Sequence, residues 1–171
     1  ARPNGHFDVA TNRNHYPARN LLLAIGRRGT PRKLDVPGED LPKVTYRLIE
    51  PEQYRDRRVL VVGGGDSAVE AAVTLSSQPG TRVTLSYRRG AFSRIKPDNR
   101  KRIDDVVARG GVDLQLESEV RAITPTAVTL EGRAGTVDID NDYTLVFAGG
   151  ELPTPFLKRL GVEVETKFGS R

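Results

Sequence analysis

The chain contains no cysteine. That removes a disulfide framework, a thiolate metal site and a redox-active cysteine pair from this segment. Histidine is almost as scarce, with His6 and His15 the only two, so no histidine metal cluster is expected and no metal ligands are assigned. No apolar run approaches the roughly 18 residues of a membrane helix. The first residues lack the basic-then-apolar pattern of a signal peptide, so a cytoplasmic protein without a membrane span is expected. Methionine is missing too, even at position 1, so the chain is expected to begin after processing or, better, to be a piece of a longer protein. The rest of the composition is that of an ordinary globular chain. Its 171 residues are 37% hydrophobic and 29% charged, enough for one domain with a proper core and too apolar for disorder. The net charge of +5 and pI of about 9.7 raise the question of nucleic acid. The basic residues are spread along the chain, with no run of them interleaved with stacking aromatics, so nucleic-acid binding is not expected.

The informative stretch is Arg58 to Glu70. Val59, Leu60, Val61 and Val62 read as a strand buried on both faces. Gly63, Gly64 and Gly65 follow at once, and a helix-forming run then begins near Asp66 and ends near Ser77. Gly63, Gly65 and Ala68 fit G-x-G-x-x-A in the strand–turn–helix context that a dinucleotide-phosphate loop requires. The first glycine permits the tight turn and the second lets a pyrophosphate approach the backbone. The small third residue lets helix and strand pack closely. The free N–H groups at the helix start, backed by the helix dipole, would face the phosphates. Asp66 and Ser67 read as helix-start residues bonding free backbone groups there. Taken alone, the same residues also fit a plain glycine turn between any strand and helix.

The next strand, Thr81 to Tyr87, narrows the choice. A loop that binds NAD usually has Asp or Glu at this strand's end, bonded to the ribose 2′-hydroxyl. Here Tyr87 is followed by Arg88 and Arg89, with Arg94 a short loop further on. A carboxylate would repel a 2′-phosphate, whereas these arginines attract one, so NADP(H) is the expected nucleotide. A solvated basic turn is the alternative.

Elsewhere the pattern is coarser. His6–Thr11 alternates like a strand, Asn12–Asn14 is a turn, and Leu21–Gly26 reads as a second, more buried strand. Residues 27–38, with Pro31 and Pro37, read as a linker. Residues 40–48 hold one short strand or none, and Pro51 starts a helical turn. Pro97 opens a second helix that stops at Gly110 and Gly111, and Val112–Leu116 is a third strand. That completes βαβαβ, with a parallel sheet expected. Residues 119–124, 127–131 and 136–140 read as an antiparallel meander, and Thr144–Ala148 returns as a buried strand. The fold class is therefore α/β: a Rossmann-like parallel sheet with an antiparallel β-meander.

Gly-Gly-Gly-Asp-Ser-Ala-Val-Glu, followed by Tyr-Arg-Arg with Phe92 and Arg94, resembles the NADPH domain of thioredoxin reductase-like flavoproteins. These belong to the pyridine nucleotide-disulfide oxidoreductases, and the resemblance covers nearly the whole chain. It implies that Ala24-Ile25-Gly26 marks a crossover out of a flavin domain, and that Gly149-Gly150 with the prolines after it marks the return. The implied division is 1–33 for the end of the first FAD-domain portion, 34–148 for the NADP(H)-binding domain and 149–171 for the second crossover. Glu70 would lie near the nicotinamide–flavin contact, as the candidate catalytic side chain. Gly63, Gly64, Gly65, Asp66, Ser67, Ala68, Tyr87, Arg88, Arg89, Arg94 and Gly149 would touch the nucleotide. FAD is expected in the full-length parent and not in this segment, which lacks the family's flavin loop. The family's Cys-x-x-Cys pair before the glycine loop is missing, so reduction of thioredoxin through it does not carry over. The expected partners are NADPH and the flavin domain of the same protein, with the electron acceptor unknown. The function implied is hydride transfer from NADPH to flavin; a nucleotide-binding or sensing module without turnover is the alternative.

Overall fold

The computed structural model describes residues 5–24 and 31–165. At its centre is a five-stranded parallel sheet built from β3 (Val44–Thr45), β4 (Arg58–Val62), β5 (Arg82–Tyr87), β6 (Val112–Leu116) and β10 (Tyr143–Val146). Its order is β3-β10-β4-β5-β6. Helix α1 (Asp66–Ser76) connects β4 to β5, and α2 (Pro97–Ala108) connects β5 to β6. The chain then leaves the sheet for an antiparallel meander, β7 (Glu119–Ile123), β8 (Ala127–Gly132) and β9 (Gly135–Asp140), before returning as β10. The expected α/β class, the βαβαβ unit and the meander are all present, with boundaries within about three residues of those read from the sequence.

Alternation along β4 explains the layering. Val59 and Val61 point to one face, where they pack with Ala68, Val69, Ala72 and Leu75 of α1 and with Ile103 and Val106 of α2. Leu60 and Val62 point to the other, against Val120 and Ile123 of β7 and Val128 and Leu130 of β8. A central strand covered on both faces must be apolar at every position, which is why the run is unbroken in sequence. Ser86 of β5 is one polar exception. Fully buried, it bonds Ser118 hydroxyl to hydroxyl at 2.7 Å, so its desolvation is offset.

The N-terminal region differs from expectation. β1 (Phe7–Ala10) pairs antiparallel with β2 (His15–Ala18) rather than with residues after Ala18. The turn decides this. Thr11 Oγ1 accepts the N–H groups of Arg13 and Asn14 and donates to the Asn14 carbonyl, so pairing begins with Ala10 opposite His15. β1 is then used up by Ala18. Leu21–Ala24 carry no strand, and Leu22 is 90% exposed, not buried as its apolar run suggested. Ile25 and Gly26, the rest of that expected strand and of the first crossover, lie outside the described residues.

The prolines also fall where the backbone suits them. Pro51 opens a 3₁₀ turn, Pro51–Tyr54, and Pro97 opens α2. After β10 the chain runs through Gly149 and Gly150 into a short helix, α3 (Thr154–Arg159).

Candidate cofactor site

The carboxyl ends of β5, β4 and β10 lie side by side, with Val62 paired to Ser86 and to Val146. The chain turns back at β4 while β10 arrives beside it, so this is the switch point where ligands of open α/β sheets bind. The glycine turn fills the place. Gly63 has φ +146, its N–H donates to the Ser86 carbonyl at 2.9 Å, and a Cβ there would lie 2.6 Å from the Phe147 carbonyl oxygen. The same imagined Cβ would be 3.1 Å from Ala68 Cβ, so Ala68 has to be small for helix and turn to meet. Gly65 is the N-cap of α1, and a Cβ on it would meet nothing within 4 Å. It faces open space, as the approach of a pyrophosphate requires. No side chain caps α1, and while the Ala68 N–H donates to the Gly65 carbonyl at 3.1 Å, the N–H groups of Asp66 and Ser67 are left for an anion.

Gly64 has a cause that its sequence does not show. A Cβ there would fall 2.2 Å from the ring of Tyr87. Tyr87 ends β5 and stacks on Phe92, with ring centroids 5.4 Å apart and planes 5° from parallel. The Arg100 guanidinium lies 5.7 Å from the Phe92 centroid. Arg88, Arg89 and Arg94 are exposed on the β5–α2 loop. Among the described residues no carboxylate pairs with any of them.

Asp66 does not serve its own helix as the sequence suggested. Its Oδ1 accepts the Lys96 N–H at 2.8 Å and the Asn99 side-chain amide at 2.8 Å. Asp66 thus reaches across to the start of α2, taking one backbone N–H and one side-chain amide there. These donors, the Lys96 N–H first, hold its carboxyl below the usual range. Ser67 caps nothing either. With Glu70 it lines an open cleft of about 780 Å³ whose other walls include Tyr46, Phe147 and Gly149. Glu70 accepts from the Asn99 amide at 2.9 Å. Tyr46 donates its hydroxyl to Glu39 at 2.8 Å, and burial together with that carboxylate pushes the phenol up to about 12. Glu39, itself buried, also accepts the N–H groups of Leu34 and Asp35.

The structure therefore brings Gly63–Ala68, Tyr87 and the arginine loop together at one sheet end. It sets Glu70 and Gly149 in the adjoining cleft. Gly149 accepts the Arg32 N–H at 3.0 Å, and Pro31 and Gly150 form an antiparallel bridge, so the two connecting segments run next to each other. Sequence reasoning missed Asn99 and Tyr46. Asn99 had a signal: it falls in line with Ile103 and Val106 on the buried stripe of α2, where a polar side chain must find partners.

The residues present fit the phosphates of a dinucleotide: an uncapped helix start, a turn open at Gly65 and unpaired guanidinium groups near by. Comparison with known proteins gives the family. A family model described as pyridine nucleotide-disulphide oxidoreductase matches residues 1–169. Bacilliredoxin reductase Bdr of Bacillus subtilis is 33% identical over 168 residues, which is 97% of this chain and 52% of that protein. Ferredoxin–NADP reductase of Ignicoccus hospitalis is 32% identical over 161 residues, 90% of this chain and 51% of that protein. Among solved structures, bacillithiol disulfide reductase Bdr (YpdA) from Staphylococcus aureus gives a TM-score of 0.87 at 33% identity, covering 97% of this chain and 51% of that one. The chain spans about half the length of the curated relatives it matches.

Proposed function

The chain belongs to the pyridine nucleotide-disulphide oxidoreductase family, a family of enzymes, and from that premise we propose that it is the NADP(H)-binding part of an FAD-dependent reductase. Residues 34–148 are the nucleotide domain, and 1–33 and 149–171 are the ends of a flavin domain completed by the rest of the protein. The side-by-side pairing of Pro31 with Gly150 supports this division, because both chain crossings then leave the nucleotide domain at one place.

The observation that carries the nucleotide assignment is the pairing of an uncapped α1 with a β5 end followed by three arginines that pair with no carboxylate among the described residues. The N–H groups after Gly65 hold the pyrophosphate, with Gly64 and Ala68 shaping the turn. Arg88 and Arg89 grip the 2′-phosphate, which guanidinium can do with two parallel hydrogen bonds, and Arg94 adds positive charge from the same loop. The bound nucleotide supplies a hydride and the flavin of the same protein accepts it. Glu70, held by Asn99 in the cleft between α1 and the two crossings, stands where that contact would form. Gly149 borders the same cleft. The curated relatives are named for two different acceptors, bacilliredoxin and ferredoxin, and none is assigned to this chain.

Two well-formed charge-assisted contacts in a half-open site contribute roughly 3 kcal/mol, about a hundredfold in affinity. Titration calorimetry of the full-length protein with NADPH and NADH tests this. The wild type is expected to prefer NADPH by about that factor, and the Arg88→Ala/Arg89→Ala variant to lose most of the preference with NADH affinity almost unmoved. Equal wild-type affinities for the two nucleotides would overturn the assignment.

A further inference from the structure

One side chain joins the helix after the glycine turn to the helix after the arginine loop. Asn99 is 5% exposed, and its amide nitrogen donates to Asp66 Oδ1 at 2.8 Å and to Glu70 Oε1 at 2.9 Å. Asp66 and Glu70 are four residues apart on α1, where like charges share a face and repel. A doubly donating amide between them holds both carboxylates in place. Asp66 Oδ1 also accepts the N–H of Lys96, the N-cap of α2 and the last residue of the loop that carries Arg88, Arg89 and Arg94. The near end of that loop is held as well, because Tyr87 packs on Gly64. The arginine loop is thus fastened to the glycine turn at both ends.

We propose that Asn99 and the Lys96 N–H form a positioning clamp that sets NADP(H) over NAD(H). The inference rests on the nucleotide assignment above. In one nucleotide the pyrophosphate and the 2′-phosphate are joined covalently, so they can be gripped together only if helix start and arginine loop are correctly spaced. A loop already held there loses little freedom on binding, and preorganisation of this kind is a main source of affinity. The clamp has a second effect. It commits the Asp66 carboxylate, whose charge would oppose a phosphate, to donors at the start of α2. The arginines supply the attraction, and the clamp makes them usable together with the turn.

The test measures NADPH and NADH affinities of the full-length protein by calorimetry for wild type, Asn99→Ala, Lys96→Pro and Lys96→Ala. Lys96 has φ −61, an angle proline adopts. Lys96→Pro therefore removes the N–H at a φ that proline can adopt, and Lys96→Ala is the matched control that loses the cation and keeps the bond. Lys96→Pro is expected to reduce the NADPH-to-NADH preference about tenfold below that of Lys96→Ala, with NADH affinity changed by less than about threefold. Asn99→Ala should do the same relative to wild type. A merely structural role would weaken both nucleotides alike, and an unchanged ratio in Lys96→Pro overturns the clamp while leaving the nucleotide assignment standing. If Asn99→Ala does not fold, the Lys96 pair decides alone. A wild type without preference for NADPH overturns the assignment and the clamp with it.

Discussion

The two ends of the parallel sheet are finished in opposite ways. At the amino ends of β4 and β10, polar groups answer one another. Asp142 accepts the Arg58 N–H at 2.8 Å and its guanidinium Nη2 at 2.8 Å, and the Asp142 N–H donates back to the Arg58 carbonyl. Asp140 pairs with another nitrogen of the same guanidinium at 2.7 Å. Asn141, fully buried between the two aspartates, donates to the Tyr143 carbonyl and accepts from the Thr144 hydroxyl. At the carboxyl ends the turn is glycine, α1 has no side-chain cap and three arginines are exposed without carboxylate partners among the described residues. Polar groups that satisfy each other contribute to stability, whereas groups left open contribute to binding only once a ligand arrives. The same sheet thus has one end whose polar groups satisfy one another and one end whose donors stay open, the end proposed to bind the nucleotide.

Substitutions can break that contrast, and the largest effect is expected at the carboxyl ends. Gly63→Ala would combine a φ of +146 with a Cβ 2.6 Å from the Phe147 carbonyl oxygen. Backbone strain and overpacking together should cost about 3 kcal/mol or more. A urea midpoint within error of wild type would show that β10 and the turn are not held together there.

At the amino ends, the Arg58 guanidinium, followed by the Arg58 N–H, holds the Asp142 carboxyl at about 2, below its ordinary 3.8. A depressed carboxyl stabilises the fold above its unfolded value and loses that contribution as pH falls through the folded one. Urea stability should therefore decline between pH about 4 and 2 by roughly 1–2 kcal/mol on this group's account, after allowance for solvent screening. Asp142→Asn should lose a similar amount at pH 7 and flatten this part of the acid profile, with NADPH affinity unchanged. A variant profile as steep as the wild type would remove Asp142 from the account.

The smallest change in stability, and the sharpest test of the contrast, belongs to Gly65→Ala. A Cβ there meets nothing within 4 Å, so the unfolding free energy should move by less than about 0.5 kcal/mol. NADPH affinity should nonetheless fall about tenfold, because the methyl group would occupy the phosphate approach. Unchanged affinity would mean that the pyrophosphate does not lie against this turn.

Much of this was legible in the chain itself, because the signals are local. Four apolar residues, three glycines and an alanine at the right spacing specify strand, turn and helix through backbone sterics and side-chain period alone. Val112–Leu116 and the meander strands announce themselves by alternation, and Arg88 and Arg89 by standing where a carboxylate usually does. Leu21–Leu23 misled for the same reason: an apolar run reports a preference for burial, and nothing local says what will cover it.

What the sequence determined is therefore the βαβαβ unit, the meander, and the chemical type of the turn and of the arginine loop. Each depends on residues within a few positions of one another. Only the tertiary structure decided that β10 inserts between β3 and β4, that Gly64 is glycine because Tyr87 lies on it, and that Asp66 serves α2 rather than α1. It also decided that Asn99 stands between two carboxylates about thirty residues earlier in the chain. These are contacts between segments far apart in sequence. Their partners are selected by which faces the sheet order brings together, and no local period or propensity carries that information.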